Sequence, residues 1–252
     1  MKDDLTRAGV SLHGVLRNME DLCQLDSSAR DLISSTALAV RFDVPGLEAL
    51  TLNFLHGQCR AFTGSQGHRD IHLRFLSPTH FLAMMEGKSQ PIPTKGLSKI
   101  GFMTGEFSTL AKLLENYLLA DGASLEDPHF RRINTILSAY IAFFGLSQVA
   151  NLSPVGKILA SGIEDGDMDI DVIGGPGIHL RFQGGKSKTI KGLSPSPKAR
   201  MVFKDLKTAG AILLGERDSF AAIGCGELAI WGRVPMIDQL NKLLGLLPVY
   251  LS

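Results

Sequence analysis

Cysteine, tryptophan and tyrosine are scarce in this chain, at three, one and three residues. Cys23, Cys59 and Cys225 are odd in number and widely spaced. They form neither a disulfide framework nor a zinc signature, which suits a reducing compartment. With so few indole and phenol rings, stacking platforms for nucleic-acid bases are not expected. A charge excess is missing as well: the net charge is +1, with both signs mixed along the chain. A nucleic-acid partner needs positive charge gathered on one face, so none is expected. No apolar run follows the lysine of the opening MKDDLTRAG, so no secretory signal is expected. The most apolar window, Tyr140 to Ala160, is broken by Ser147, Gln148, Asn151, Ser153 and Pro154. It reads as a packed helix followed by a turn rather than a membrane span. The expectation is a cytoplasmic protein.

What the chain does contain is a long internal match. Shifted by 128 residues, Gly46, Phe54, Gly57, Gly64, Phe75, Gly87 and Gly96 fall on Gly174, Phe182, Gly185, Gly192, Phe203, Gly215 and Gly224. Residue type is also kept between Phe42 and Ile170, Val44 and Val172, Leu50 and Ile178, Leu52 and Leu180, Phe62 and Ile190, and Leu73 and Met201. Dropping one residue near Thr104 brings Gly105 onto Gly232, Leu110 onto Ile237 and Leu113 onto Leu240. A single shared register indicates a tandem duplication. Each copy is long enough to bury a core of its own, so this is no solenoid repeat. Hydrophobic content of 44% and charged content of 20% fit a globular chain. Two domains are expected, residues 1–121 and 128–252, joined at Ala120 to Pro128, where Asp-Gly and polar residues interrupt the pattern.

Within each copy helices come first. Leu5, Leu12, Val15, Leu16, Met19 and Leu22 keep helical spacing, as do Ile133, Ile136, Leu137, Tyr140, Ile141 and Phe144. Shorter helices follow at Ser28 to Ser34 and Pro154 to Ser161. Alternation of period two then predicts strands at Val40 to Val44, Leu50 to Phe54, Gln58 to Phe62, Ile71 to Phe75 and Lys99 to Met103. Their partners in the second copy are Met168 to Val172, Ile178 to Phe182, Ser187 to Ile190, Ala199 to Phe203 and Glu227 to Trp231. Helices at Pro78 to Glu86 and Leu206 to Leu214 end at Gly87 and Gly215, each suited to a helix C-cap. Closing helices span Ser108 to Leu118 and Pro235 to Leu247. The fold class is α+β, two units each with a mostly antiparallel sheet.

Motifs for chemistry fare poorly. Gly224-Cys225-Gly226 and Gly174-Gly175-Pro176-Gly177 precede strands rather than helices, so they read as hairpin turns, not phosphate loops. Asp165, Asp167, Asp169 and Asp171 alternate, but calcium-loop spacing would place its glycine at Ile170 and its glutamate at Pro176. A solvated strand edge is the better reading. His68 and His72 lack a helix and a nearby glutamate, and no Gly-x-Ser-x-Gly elbow is present. Lys186, Lys188, Lys191, Lys198 and Arg200 either touch anionic lipid headgroups transiently or form a solvated strand face, and the second is favoured. No cofactor, metal site or catalytic residue is expected.

The stretch Ala199 to Leu247 carries a resemblance. A strand, Ala199-Arg200-Met201-Val202-Phe203, leads to a helix ending in Leu213-Leu214-Gly215. Ala222-Ile223-Gly224-Cys225-Gly226-Glu227-Leu228-Ala229-Ile230-Trp231-Gly232 and an amphipathic helix follow. This pattern resembles the sterol carrier protein 2 (SCP2) domain, well over residues 160 to 250 and more weakly over 38 to 118. The first copy departs from it at Gly96-Leu97-Ser98-Lys99-Ile100-Gly101-Phe102-Met103-Thr104-Gly105. The resemblance implies two SCP2-like units, each a five-stranded sheet covered by helices with an apolar tunnel between. The ligand it implies is a fatty acid, acyl-CoA or sterol-like lipid, bound and transferred without catalysis. Lipid-lining candidates are Phe81, Met84, Met85, Ile92, Phe102, Phe107, Leu110, Leu114 and Tyr117 in the first copy. In the second they are Ile212, Leu213, Phe220, Ile223, Trp231, Met236, Ile237, Leu240 and Leu244. The same side chains also read as ordinary core. The alternative function is a scaffold or assembly module whose tunnels are filled by its own side chains. An enzyme subunit ranks below both and would need Tyr117 or His80 inside the tunnel.

Overall fold

The computed structural model describes residues 3–213 and 216–251. The chain divides into two compact units, Met1–Ile133 and Asn134–Ser252. The division falls just past the expected linker, within the first turns of a long helix.

In the first unit, α1 (Asp4–Val10) continues through a π turn (Ser11–Val15) and a 3-10 turn (Leu16–Asn18) into α2 (Met19–Leu25); α3 (Ser27–Leu32) follows. Caps explain two of the starts: Leu5 N–H donates to Asp3, and Ala29 N–H donates to Asp26 at 2.8 Å. The stripe Val10, Leu12, Leu16, Met19 and Leu22 is buried, as its spacing requires. The π turn carries His13 into the interior, where Nε2 meets the Glu48 carbonyl at 2.9 Å. Burial lowers its pKa.

The first sheet has the order β3-β2-β1-β4-β5. Its strands are β1 (Ala37–Asp43), β2 (Leu50–Leu55), β3 (Gln58–Thr63), β4 (Ile71–Arg74) and β5 (Ile92–Lys95). Helix α4 (Pro78–Met85) links β4 to β5, capped by the Ser77 hydroxyl; α5 (Gly101–Thr104) and α6 (Glu106–Leu118) close the unit.

Helix α7 (Pro128–Leu152) starts in the first unit and runs on into the second, where α8 (Pro154–Ser161), capped by Ser153, follows. Then come β6 (Gly166–Val172), β7 (Gly177–Gln183), β8 (Lys186–Lys191) and β9 (Ala199–Phe203). Helices α9 (Leu206–Leu213) and α10 (Ser219–Gly224), strand β10 (Leu228–Gly232), and helices α11 (Val234–Leu246) and α12 (Pro248–Leu251) complete it. The expected C-cap at Leu214 and Gly215 lies outside the described residues. Helix α7 is long and apolar enough to cross a membrane, but 78% of its most apolar stretch is buried in the protein. Phe143, Leu146 and Ala150 from it join the core under the second sheet.

The second sheet is ordered β10-β9-β6-β7-β8, strand for strand the arrangement of the first. Even the register carries over at the 128-residue offset. Phe42 faces Leu50 as Ile170 faces Ile178, and Val40 faces Ile71 as Met168 faces Ala199. Leu50 faces Thr63 as Ile178 faces Lys191. Each sheet is mixed and mostly antiparallel, with three antiparallel pairings and one parallel. The pairs β1–β4 and β6–β9 are parallel, because after the third strand of each unit the chain crosses the sheet to lie beside the first.

The fifth strand departs from expectation. Lys99 to Met103 is helical, and β5 is the earlier segment Ile92–Lys95. The glycine at its end explains why. Gly96 (φ +85°) lies against the Asp70 carbonyl, and Gly232 (φ +81°) lies against the Lys198 carbonyl. Asp70 and Lys198 are matched by the same offset, so Gly96 corresponds to Gly232 and not to Gly224. The second unit accommodates the difference with α10, which has no counterpart among the described residues of the first.

Each crossover loop is pinned to the outer face of its sheet by one buried charge at matched positions. Arg41, 3% exposed, donates to the carbonyls of Ser65, Gln66 and Gly67 and to Thr51 Oγ1. Asp169, fully buried, accepts from Ser194 N–H at 2.9 Å and from Arg200 at 2.9 and 3.2 Å. A cation grips carbonyls in one unit; an anion grips an N–H in the other. The acidic run on β6 is therefore no solvated edge, because β6 is the central strand and Asp169 is an internal tie.

Two further carboxylates set the acid stability. Burial would raise Asp70, but bonds from Lys99, the Ala39 N–H and His68 outweigh it and hold its pKa at about 2. The Arg181 guanidinium, bound to both oxygens of Asp167 and aided by Ser194, holds that carboxyl at about 2 against desolvation. Both values lie below the ordinary 3.8, so the stability these groups contribute is complete above about pH 4 and is lost as pH falls towards 2. Urea midpoints measured down this range are expected to fall, and Asp167→Asn to flatten the fall in the second unit. An unchanged slope in that variant would remove Asp167 from the account.

Candidate functional site

In the second unit the apolar face of the sheet is made by Met168, Ile170, Val172, Ile178, Leu180, Phe182, Met201 and Phe203, which alternate with polar residues on the outer face. Helix α11 lays Met236, Ile237 and Leu240 on this core; all three are at most 4% exposed. Ile212, Ile223 and Leu244 are partly buried against the same cluster, and Leu213 is half-buried. Six of the nine expected lining residues are thus brought together: Ile212, Ile223, Met236, Ile237, Leu240 and Leu244.

Two others lie elsewhere. Phe220, on the exposed side of α10, is 75% exposed. Trp231 pairs with Arg200, whereas the core residue Met201 pairs with Ile230. Alternation therefore turns Trp231 to the outer face, away from the helices. Ile92 in the first unit meets the same fate, opposite Arg74 and exposed. Met85, at the end of α4, is 38% exposed, while Met84 is half-buried.

The remaining first-unit candidates, Phe81, Phe102, Phe107, Leu110, Leu114 and Tyr117, are buried. Phe81 packs edge-on against Phe75 at 5.1 Å between ring centres. Between sheet and helices, Phe102 from α5 lies 5.1 Å from Phe54, and Phe107 from α6 lies 5.8 Å from Phe42. Phe107 also stands edge-on to Phe54 at 6.3 Å. These four rings occupy the space between the first sheet and its closing helices. In the second sheet the residue matched to Phe42 is Ile170 and that matched to Phe54 is Phe182.

The polar groups considered for chemistry have structural partners. Tyr117 O–H donates to Asp26 at 2.7 Å, and Asp26 simultaneously caps α3. Burial first, then this carboxylate, pushes the phenol pKa up. The second unit repeats the device with neutral groups: Tyr250 and Ser153 hydroxyls bond at 2.9 Å, and Ser153 caps α8. His80 accepts from Leu76 N–H through Nδ1 and meets the Gln90 carbonyl through Nε2, outside the four-ring cluster. His72 faces Asp43 at 3.5 Å and Thr94. Among the described residues, no group of three or more His, Cys, Asp or Glu gathers to hold a metal ion.

Sequence reasoning missed both tyrosine ties and both loop pins. No local signal marks them, since each joins residues far apart in the chain.

No family model and no curated protein matches this chain. Solved structures similar to part of it include a UbiJ-SCP2 ubiquinone synthesis protein, 19% identical over 44% of this chain and 95% of that one, with a TM-score of 0.35. The sterol carrier protein domain 2 of Helicoverpa armigera is 14% identical over 44% of this chain and 87% of its own, TM-score 0.36. Sterol carrier protein 2 like 2 from Aedes aegypti is 14% identical over 42% and 95%, TM-score 0.32.

Proposed function

We propose that the second unit binds one apolar lipid non-covalently between its sheet and helices α9 to α11, and that the first unit is filled by its own side chains. The observation that carries this reading is the contrast between the two interiors. Four phenylalanine rings interlock under the first sheet. The second core also holds Phe143, Phe182 and Phe203, but the large side chains that α9, α10 and α11 lay on it are aliphatic or methionine, several of them only partly buried. Methionine and leucine adapt to chains of variable shape where stacked rings do not. The sequence resemblance of residues 160 to 250 to the SCP2 domain points the same way.

A chain of about sixteen carbons gains on the order of 10 kcal/mol gross from burial. Association and ordering remove several kcal/mol of this, leaving affinity in the micromolar range. Fatty acid, acyl-CoA and sterol-like molecules fit this class, and transfer requires α11 to lift from the sheet and close again. No bond is made or broken in this mechanism. The scaffold reading applies to the first unit alone.

Native mass spectrometry of gently purified protein, followed by organic extraction, tests the assignment. One added lipid mass per chain is expected. Two would overturn the filled first unit, and an unchanged apo mass after incubation with fatty acid, acyl-CoA and sterol would overturn lipid binding. Charge substitutions belong at Ile212 or Leu244 rather than at Leu240. Leu240 is fully buried, and an unpaired charge there would unfold the unit.

A further inference from the structure

Cys23 and Cys59, far apart in the sequence, meet inside the first unit as free cysteines. Cys59 lies on β3 opposite Phe54, so it points to the same face of the sheet as that ring, towards the helices. Helix α2 packs along β3 and carries Cys23 beside the buried Met19 and Leu22. The two thiols are hydrogen-bonded to one another and are only 1% and 5% exposed. Paired thiols on two facing elements need little backbone movement to reach the geometry of a disulfide.

The matched position in the second unit makes the same approach without sulfur. Ser187, 128 residues after Cys59, turns its hydroxyl to Ser147 of α7 at 3.1 Å. Hydroxyls can only hydrogen-bond there, whereas thiols can replace a weak contact by a covalent one. Burial first, then the bond to Cys23, raises the Cys59 thiol well above its ordinary pKa, with Glu20 and Asp21 adding to the effect. The resting pair is thus protonated and slow to react. Strand β3 is an edge strand, bonded to the sheet on one side only, so local opening of α2 from β3 admits a small oxidant.

We propose that Cys23 and Cys59 form a redox modification site, oxidised by peroxides to a disulfide that locks α2 onto β3. With hydrogen peroxide, the O–O bond breaks as one thiol takes up an oxygen to become a sulfenic acid, and water leaves. The second thiol then attacks the sulfenic sulfur: the S–S bond forms, and the hydroxyl departs with the thiol proton as a second water. Two thiols are oxidised and one peroxide is reduced. A thiol reductant reverses the bond by exchange. The site goes beyond the lipid reading and does not depend on it.

Hydrogen peroxide added to the full chain, followed by alkylation of the remaining thiols and peptide mass mapping, tests the site. Native protein should yield a Cys23–Cys59 linked peptide that dithiothreitol removes, with no link from either residue to Cys225. In chain unfolded by urea, links to Cys225 should appear beside it, because the fold no longer selects the pair. Hydrogen exchange read on the α2 and β3 peptides should slow on the order of a hundredfold after oxidation. Cys59→Ser, which copies the hydroxyl of Ser187, should abolish both the link and the slowing. Cys23→Ser should leave Cys59 as a sulfenic acid that dimedone traps. The wild-type measurements decide the matter even where a variant fails to fold. Cys23 and Cys59 recovered as free thiols, or as unlinked sulfinic acids, once Cys225 is fully oxidised would overturn the proposal. So would a link found only in the unfolded chain, and exchange left unchanged by the link would remove the lock.

Discussion

Gly232→Ala is expected to cost the second unit at least about 4 kcal/mol, a large share of the roughly 5–15 kcal/mol that an ordinary domain has. The residue sits at φ +81°, where a side chain alone is strained by about 1–2 kcal/mol. Most of the cost is steric. A methyl group there would overlap the Lys198 carbonyl oxygen and stand 3.0 Å from its carbon. That carbonyl also accepts the Arg233 N–H at 3.0 Å, so the backbone cannot yield without losing the bond that turns β10 into α11. Gly96→Ala is expected to act alike in the first unit, with its methyl overlapping the Asp70 carbonyl oxygen and 2.9 Å from the Ile71 Cα. Gly192→Ala serves as the reference: it has φ +91° but nothing within 4 Å, so it bears conformational strain without a clash. Urea unfolding followed by circular dichroism compares the three. A Gly232→Ala variant no less stable than Gly192→Ala would refute the close approach.

The same glycines show where sequence reading succeeds and where it stops. The strands β1 to β4 and β6 to β9 were legible because alternation is local, and the offset of 128 residues transferred each reading to the other unit. The offset even anticipated register, as Val40–Ile71 and Met168–Ala199 show. It failed where the two units differ in length before the fifth strand. There Gly96 had two glycine partners to choose from, and only its contact with Asp70 identifies Gly232 as the counterpart. Trp231 and Ile92 were misplaced for a related reason. An apolar residue on an edge strand reveals its period but not its face, and the face follows from the neighbour's register. Arg41 and Asp169 were invisible to comparison because matched positions do matched work with opposite charge.

The buried candidates were legible as apolar stripes, yet a stripe does not say whether it meets a ligand or another side chain. Phe107 offers the test for the first unit. It is 9% exposed and touches the rings of Phe42, Phe54 and Phe102 at 5.8 to 6.3 Å between centres. Phe107→Ala is expected to cost about 3–5 kcal/mol, the lost transfer of a phenyl ring plus the void it leaves. A dry apolar void of that size takes up small apolar molecules. The variant should therefore bind benzene or a short alkane that the wild-type first unit rejects, and regain stability when such a ligand is added. The second unit supplies the internal comparison, because its lipid binding should be untouched by a change under the other sheet. A loss below about 1 kcal/mol would mean that the ring borders space already open. The first unit would then have to be counted among the lipid sites, and the asymmetry on which the proposed function rests would be gone.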